Sequence, residues 1–398
     1  MLAYRRSDFE ARARGAAING WEDEGMIDGQ AAALLRQRFP DPFYEPNPFV
    51  RIGLFVFGLI CAGAAQGLLF LLFSPRGGAG SYAALLIFSG AMALGVQETL
   101  ARRPKPFFRA GLEEAMAYLG TGCILAGILI IIDFGHGREA GIALVIAAGT
   151  GLAAARYADS LLAAVCLGAI LFALFVLAKD LGDIAISLLP FALIAVSAAL
   201  VFFCGVARRR DALGPWEHVF DLLRLIGLVL AYAGGNYLLV REAGKALLHR
   251  SGDAGSGPPF ALLFHFWTYA VPPAYLAYGL RKRDRQFLDA GLLLVAAAVG
   301  TYKYYHSVMP LEVGMIVAGT ALLLVAWAAL KAFRPARFGI SAAASPRAAQ
   351  GGLLNAEGLA MLHSAHSQSP SPEIPGKPPG GMEGGGGKFG GGGAQGGF

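Results

Sequence analysis

The stretch IGLFVFGLICAGAAQGLLFLLF, Ile52–Phe73, carries no charge and only one amide, Gln66. As a helix rising ~1.5 Å per residue it would reach roughly 33 Å, the thickness of the hydrocarbon core of a bilayer. Its apolar residues run without an amphipathic period, so it reads as a membrane span that also acts as an uncleaved insertion signal. Further blocks of the same kind follow at Tyr82–Leu100, Ala115–Ile132, Ala140–Ala154, Leu161–Ala178, Ile184–Val206, Val219–Val240, Phe260–Leu280, Phe287–Thr301 and Leu311–Leu330. The expected fold is all-α: a polytopic transmembrane helical bundle of about ten spans, of which the fourth and ninth are short.

Composition agrees with the membrane as solvent. Only 15% of the 398 residues are charged, against about 25% in soluble domains, and the mean hydropathy is +0.54. The net charge of +6 does not point to nucleic acid, because Lys and Arg sit between apolar blocks instead of forming a basic, aromatic-interleaved surface. With the N-terminus inside, the inner connections hold 22 Lys and Arg and the outer ones 7, as the positive-inside rule requires. Losing one span would reverse every later loop and put Arg208–Arg210 or Arg281–Arg285 outside. Both termini are therefore expected in the cytoplasm. Cys61, Cys123, Cys166 and Cys204 all fall within apolar blocks without metal-ligand spacing.

Three regions are expected. Residues 1–50 read as a cytosolic helical hairpin and linker: Ser7 and Glu10 have capping-box spacing, Gly25 can end the first helix, and Asp28 can cap a second that runs to Pro40. Residues 51–332 form the bundle. Residues 333–398 are Pro-rich and then Gly-rich, with 12 glycines among the last 19 residues, a composition expected to be disordered.

Charge depth guides the search for chemistry, since Asp, Lys or Arg at a helix centre costs about 2.5–3.5 kcal/mol. Gln97, Glu98, Glu113, Glu114 and Asp289 lie near inner span ends, where water is expected to reach them. Arg224 is the deepest charge, and Asp221 one turn earlier is its expected intramembrane partner. No charge reaches a midplane, which disfavours a proton- or sodium-coupled pump. The eighth span gathers Phe264, His265, Phe266, Trp267, Tyr269, Tyr275 and Tyr278 around Pro272 and Pro273. The prolines free carbonyls one turn upstream, near Thr268 and Tyr269, so a kink is expected there. A solute or Thr268 itself could satisfy those carbonyls. If a small-molecule site exists, an outer vestibule of His265, Thr268, Tyr269, Asn236, His306 and Glu312 is the expected place. No Walker loop, HExxH, nucleophile elbow or haem-attachment motif is present, so neither an enzyme nor a cofactor is expected, and no metal site.

Three segments together resemble the bacterial membrane proteins grouped as domain-of-unknown-function family 2157. They are Trp21-Glu22-Asp23-Glu24-Gly25-Met26-Ile27-Asp28 leading to Gln30 and Leu34-Leu35, then Tyr302-Lys303-Tyr304-Tyr305-His306, and Gly319 with Leu322–Leu324. The resemblance implies a cytosolic hairpin before the first span, a tyrosine-rich outer loop before the last, and the bacterial inner membrane as location. It implies no activity. Two functions fit. One is permease-like passage or binding of a small solute without an ion-coupling carboxylate. The alternative is an envelope scaffold or sensor whose hairpin and tail recruit a protein partner. The bilayer is the expected partner in both.

Overall fold

The computed structural model describes residues 2–23, 25–73, 78–132, 139–208, 210–248, 260–282 and 284–305, with 319, 320 and 327. Among these there is no β-strand beyond an isolated bridge between Tyr44 and Phe107. The helices are α1 (Arg6–Asp23), α2 (Gly29–Arg38), α3 (Pro48–Phe73), α4 (Ala79–Ala101), α5 (Leu112–Ile131), α6 (Glu139–Tyr157), α7 (Ser160–Leu181), α8 (Asp183–Ala207), α9 (Glu217–Gly235), α10 (Tyr237–Leu248), α11 (Ala261–Lys282) and α12 (Arg285–Tyr305). A 3-10 turn, Asp211–Trp216, precedes α9. The expected tail and last span lie outside the described residues, apart from 319, 320 and 327.

Among the described residues, seven helices have the length and composition to cross a membrane: α3 to α8 and the stretch Gly214–Gly235 that contains α9. The expected fourth span, thought short, is the 19-residue α6. Helices α11 and α12 are long enough, at 22 and 21 residues, but less apolar. On α3, Ile52, Phe57, Ile60, Leu68, Leu71 and Phe73 are all exposed, a surface suited to lipid and not to water.

The bundle is built from antiparallel neighbours, α4 with α5, α6 with α7, α8 with α9 and α11 with α12, while α3 lies against α5. Without a hydrophobic drive between helices in lipid, close approach through small residues supplies the packing. At Gly90 an added Cβ would stand 2.7 Å from the Gly120 carbonyl oxygen, and at Gly127 the same distance from that of Ala83. The four connections within these pairs, 102–111, 158–159, 208–216 and 283–284, hold most of the Lys and Arg between spans. The end of the bundle that carries them and the N-terminus is here the basic end.

The N-terminal residues fold back onto that end. The Ala3 N–H donates to the Arg156 carbonyl at 2.8 Å. Tyr4, Phe9, Phe43 and Phe108 form a cluster with ring centroids 5.0–6.2 Å apart, which ties α1 and the linker to the connection between α4 and α5. Gly25, at φ +71°, ends α1: its N–H reaches the Glu22 carbonyl and the Met26 N–H reaches that of Trp21, the paired bonds of a Schellman turn. Asp28 caps α2 by accepting the Ala31 N–H at 2.7 Å. The expected capping box at Ser7 does not form, because α1 already begins at Arg6 and the Ser7 hydroxyl turns to Asp8.

Two expectations inside the bundle are corrected. Arg224 does not pair with Asp221. It pairs with Asp284 at 2.5 Å and donates to Gln286 at 2.9 Å, while Asp221 pairs with Arg208 at 2.9 Å. Partners sixty residues away on the α11–α12 turn displace the neighbour one turn away, and Phe287 stacks on the guanidinium at 5.2 Å. The seventh span also ends earlier than Val240. Gly234 and Gly235 favour helix weakly, and at Asn236 the backbone turns extended before the amphipathic α10 starts.

Candidate solute-binding site

A cavity of about 220 Å³ lies at the basic end, lined by residues of the N-terminal segment, the starts of α5, α7 and α9, and the ends of α4 and α6. Each wall follows from local structure. Gly111, at φ +98°, starts α5 where an added Cβ would meet the Arg51 carbonyl oxygen at 2.1 Å, so only glycine lets α3 come this close. Gly111 has no side chain with which to cap α5, and Glu113 reaches back instead, its Oε1 accepting the Ala110 N–H at 2.5 Å. On the facing wall the chain turns from α6 into α7 in two residues. Ala158 takes φ +53°, and Asp159 caps α7 by accepting the Leu162 N–H at 2.8 Å.

Polar contacts between helices encircle the cavity. Arg51 on α3 pairs with Glu114 on α5. The Tyr118 hydroxyl donates to Asp159 Oδ2 at 2.9 Å, and His218 Nε2 meets the Ala158 carbonyl at 2.6 Å. Just behind, Arg156 pairs with Glu98 at 2.6 Å. Two side chains stand apart from this order. Glu113 is 2% exposed and Gln97 is 1% exposed, yet Glu113 Oε2 and Gln97 Oε1 have no hydrogen-bond partner among the described residues. Leaving a buried polar atom unpaired costs about 1–3 kcal/mol, more for a charged group.

Tyr4 reaches the same lining from the N-terminal segment. Gln97 Nε2 lies 3.5 Å from the Tyr4 hydroxyl. Burial, and then the nearby Glu113 carboxylate, push the phenol up, so Tyr4 stays neutral. Phe108, Arg109 and His218 also line a second hollow of about 750 Å³ beneath α1, where Arg6, Glu10, Arg12, Glu217 and Asp221 make a mixed-charge approach.

Sequence reasoning put Gln97 and Glu113 in water because each lies near the end of its own helix. Tyr4 of the folded-back N-terminus packs against Gln97 and shares the cavity lining with Glu113. A signal was present nonetheless: Gln97-Glu98 and Glu113-Glu114 face each other across one hairpin, and four polar residues at one level on paired helices mark a shared polar site.

The residues expected to form an outer site are only partly brought together. Asn236, 2% exposed, donates to the Tyr232 hydroxyl at 2.9 Å and to Thr301 Oγ1 at 3.1 Å, and its Oδ1 caps α10 at Leu239 N–H, 3.2 Å. Thr268 is fully buried, its hydroxyl donating to the Phe264 carbonyl at 2.8 Å and accepting the Tyr237 N–H at 2.9 Å. These bonds make Asn236 and Thr268 a structural knot. His265 stacks on Tyr237 with centroids 3.7 Å apart, and with Tyr269 it borders an open surface depression. Pro272 and Pro273 lie inside α11, which continues through both. His306 and Glu312 are outside the described residues. Among the described residues no group of three or more His, Cys, Asp or Glu could hold a metal ion.

No family model matches the chain, and neither a curated protein nor a solved structure does.

Proposed function

We propose that this chain is a permease-like inner-membrane protein, a non-enzyme that takes a small solute into the basic-end cavity, with the N-terminal segment as its lid. The observation that carries the reading is the pair of buried, unpartnered oxygens on Glu113 and Gln97 beside a cavity of about 220 Å³. Native proteins satisfy more than nine in ten buried polar groups, so two exceptions at one cavity mark a place for a guest. The same reading takes the basic end as cytoplasmic, counts α11, α12 and residues 311–330 as the last three of ten spans, and includes membership of the family 2157 group.

Proteoliposomes test it. Wild-type protein is expected to pass small polar solutes faster than empty liposomes, and Tyr4→Ala, which lifts the lid residue, to increase that flux severalfold. Wild-type flux no higher than that of empty liposomes across a broad solute panel would overturn the reading.

One observation favours a second reading, an envelope scaffold or sensor. Trp21, Met26 and Leu34 are exposed on the α1–α2 hairpin, where a partner protein could dock. Crosslinking in intact cells separates the two readings: the scaffold reading requires partners that are lost when these three residues become serine.

A further inference from the structure

The chemistry of the cavity selects its guest. Both unpartnered atoms, Glu113 Oε2 and Gln97 Oε1, are oxygens that accept hydrogen bonds, so the guest must bring donors. The other charges are committed. Arg51 is matched by Glu114, Asp159 accepts from Leu162 and Tyr118, and Arg109 is exposed at the rim. Of the ionisable side chains in the lining, three are acids (Glu113, Glu114, Asp159) and two are bases (Arg51, Arg109). Tyr4, Phe108, Tyr118 and Tyr157 add aromatic faces, which attract cations. At about 220 Å³ the space equals roughly seven water volumes. That admits a guest of a few heavy atoms.

We propose that the cavity binds a small organic ammonium ion, with Glu113 as its counter-ion, Gln97 as a second acceptor and the tyrosine rings as walls. The inference rests on the cavity being the solute site. Both oxygens are closed off from solvent in this structure, and Tyr4, whose hydroxyl accepts from Gln97 Nε2, packs beside them, so the ion enters when Tyr4 withdraws. The segment carrying Tyr4 is short and held largely by the Ala3–Arg156 bond and the aromatic cluster, which makes it the movable part of the wall.

The test uses the full chain in nanodiscs at constant ionic strength, with thermal unfolding followed by tryptophan fluorescence. The probes are butylammonium, its isosteres butyrate and butanol, tetrabutylammonium and potassium. Butylammonium is expected to raise the Tm of the wild type and the other four to leave it unchanged. The extra carboxylate of Gln97→Glu is expected to tighten butylammonium binding by about tenfold. Tyr4→Ala is expected to tighten it by raising the open fraction, and Glu113→Gln to abolish the response. Because Gln97→Glu gains binding, its result stands even if Glu113→Gln fails to fold. Stabilisation by butyrate, butanol or potassium equal to that by butylammonium overturns the ammonium class. If Tyr4→Ala strengthens that response, the cavity remains the solute site. If no probe responds differently in Tyr4→Ala, Gln97→Glu or Glu113→Gln, the proposal and the cavity reading fall together.

Discussion

Asp159 joins two helices with one carboxylate. One oxygen caps α7 and the other holds the Tyr118 hydroxyl of α5, while the Ala158 carbonyl beside it takes His218 of α9. This is why Ala158, 1% exposed, tolerates a left-handed backbone that costs an L-residue about 1–2 kcal/mol. Replacing Asp159 with alanine removes an N-cap worth about 1 kcal/mol. It also strands the half-buried Tyr118 hydroxyl, which adds about 1–3 kcal/mol. Asp159→Ala is thus expected to destabilise by roughly 2–4 kcal/mol in detergent unfolding, and Asp159→Asn, which keeps the capping oxygen, to recover at least the cap. Equal losses for the two variants would show that capping contributes nothing at this turn.

At the scale of elements, the division between α9 and α10 depends on neighbours. An added Cβ at Gly235 would stand 2.2 Å from the Trp267 ring of α11, and Asn236 binds Thr301 of α12. Side-chain hydrogen bonds between membrane helices average about 0.6 kcal/mol and reach about 1.7 kcal/mol. A double-mutant cycle on Asn236→Ala and Thr301→Ala is expected to give a coupling within that range, and a coupling of zero would remove the bond as a reason for the break. The same contacts explain what could be read in advance. Span interiors such as Ile52–Phe73 were legible because hydropathy over bilayer length is a local property, and the Gly25 and Asp28 signals were legible because caps act within four residues. The end of α9, the partner of Arg224 and the burial of Gln97 were not. Each depends on residues far along the chain: Trp267, Asp284 and Tyr4.

Across the whole molecule, polar contacts gather at the basic end while the spans leading away from it are almost without charge. Arg51–Glu114, Arg156–Glu98, Arg208–Asp221 and Arg224–Asp284 each join two different segments there. A charge that pairs at this end need not cross lipid, and the positive-inside rule acts on the same Lys and Arg residues. Topology and cavity are therefore linked: if the basic end is cytoplasmic, the lid opens toward the cytoplasm. Single cysteines in a background lacking Cys61, Cys123, Cys166 and Cys204 report this by labelling with an impermeant maleimide in intact cells. Arg5→Cys, Lys105→Cys and Arg285→Cys are expected to be protected until the membrane is opened, whereas Glu139→Cys and Lys245→Cys label at once. Arg285 is the decisive position, because it lies beyond the seven apolar helices. Its protection requires α9 and α11 to traverse the bilayer in opposite senses. Labelling of Arg285→Cys from outside, with Arg5→Cys protected, would mean that α11 does not cross and that the bundle has fewer than ten spans.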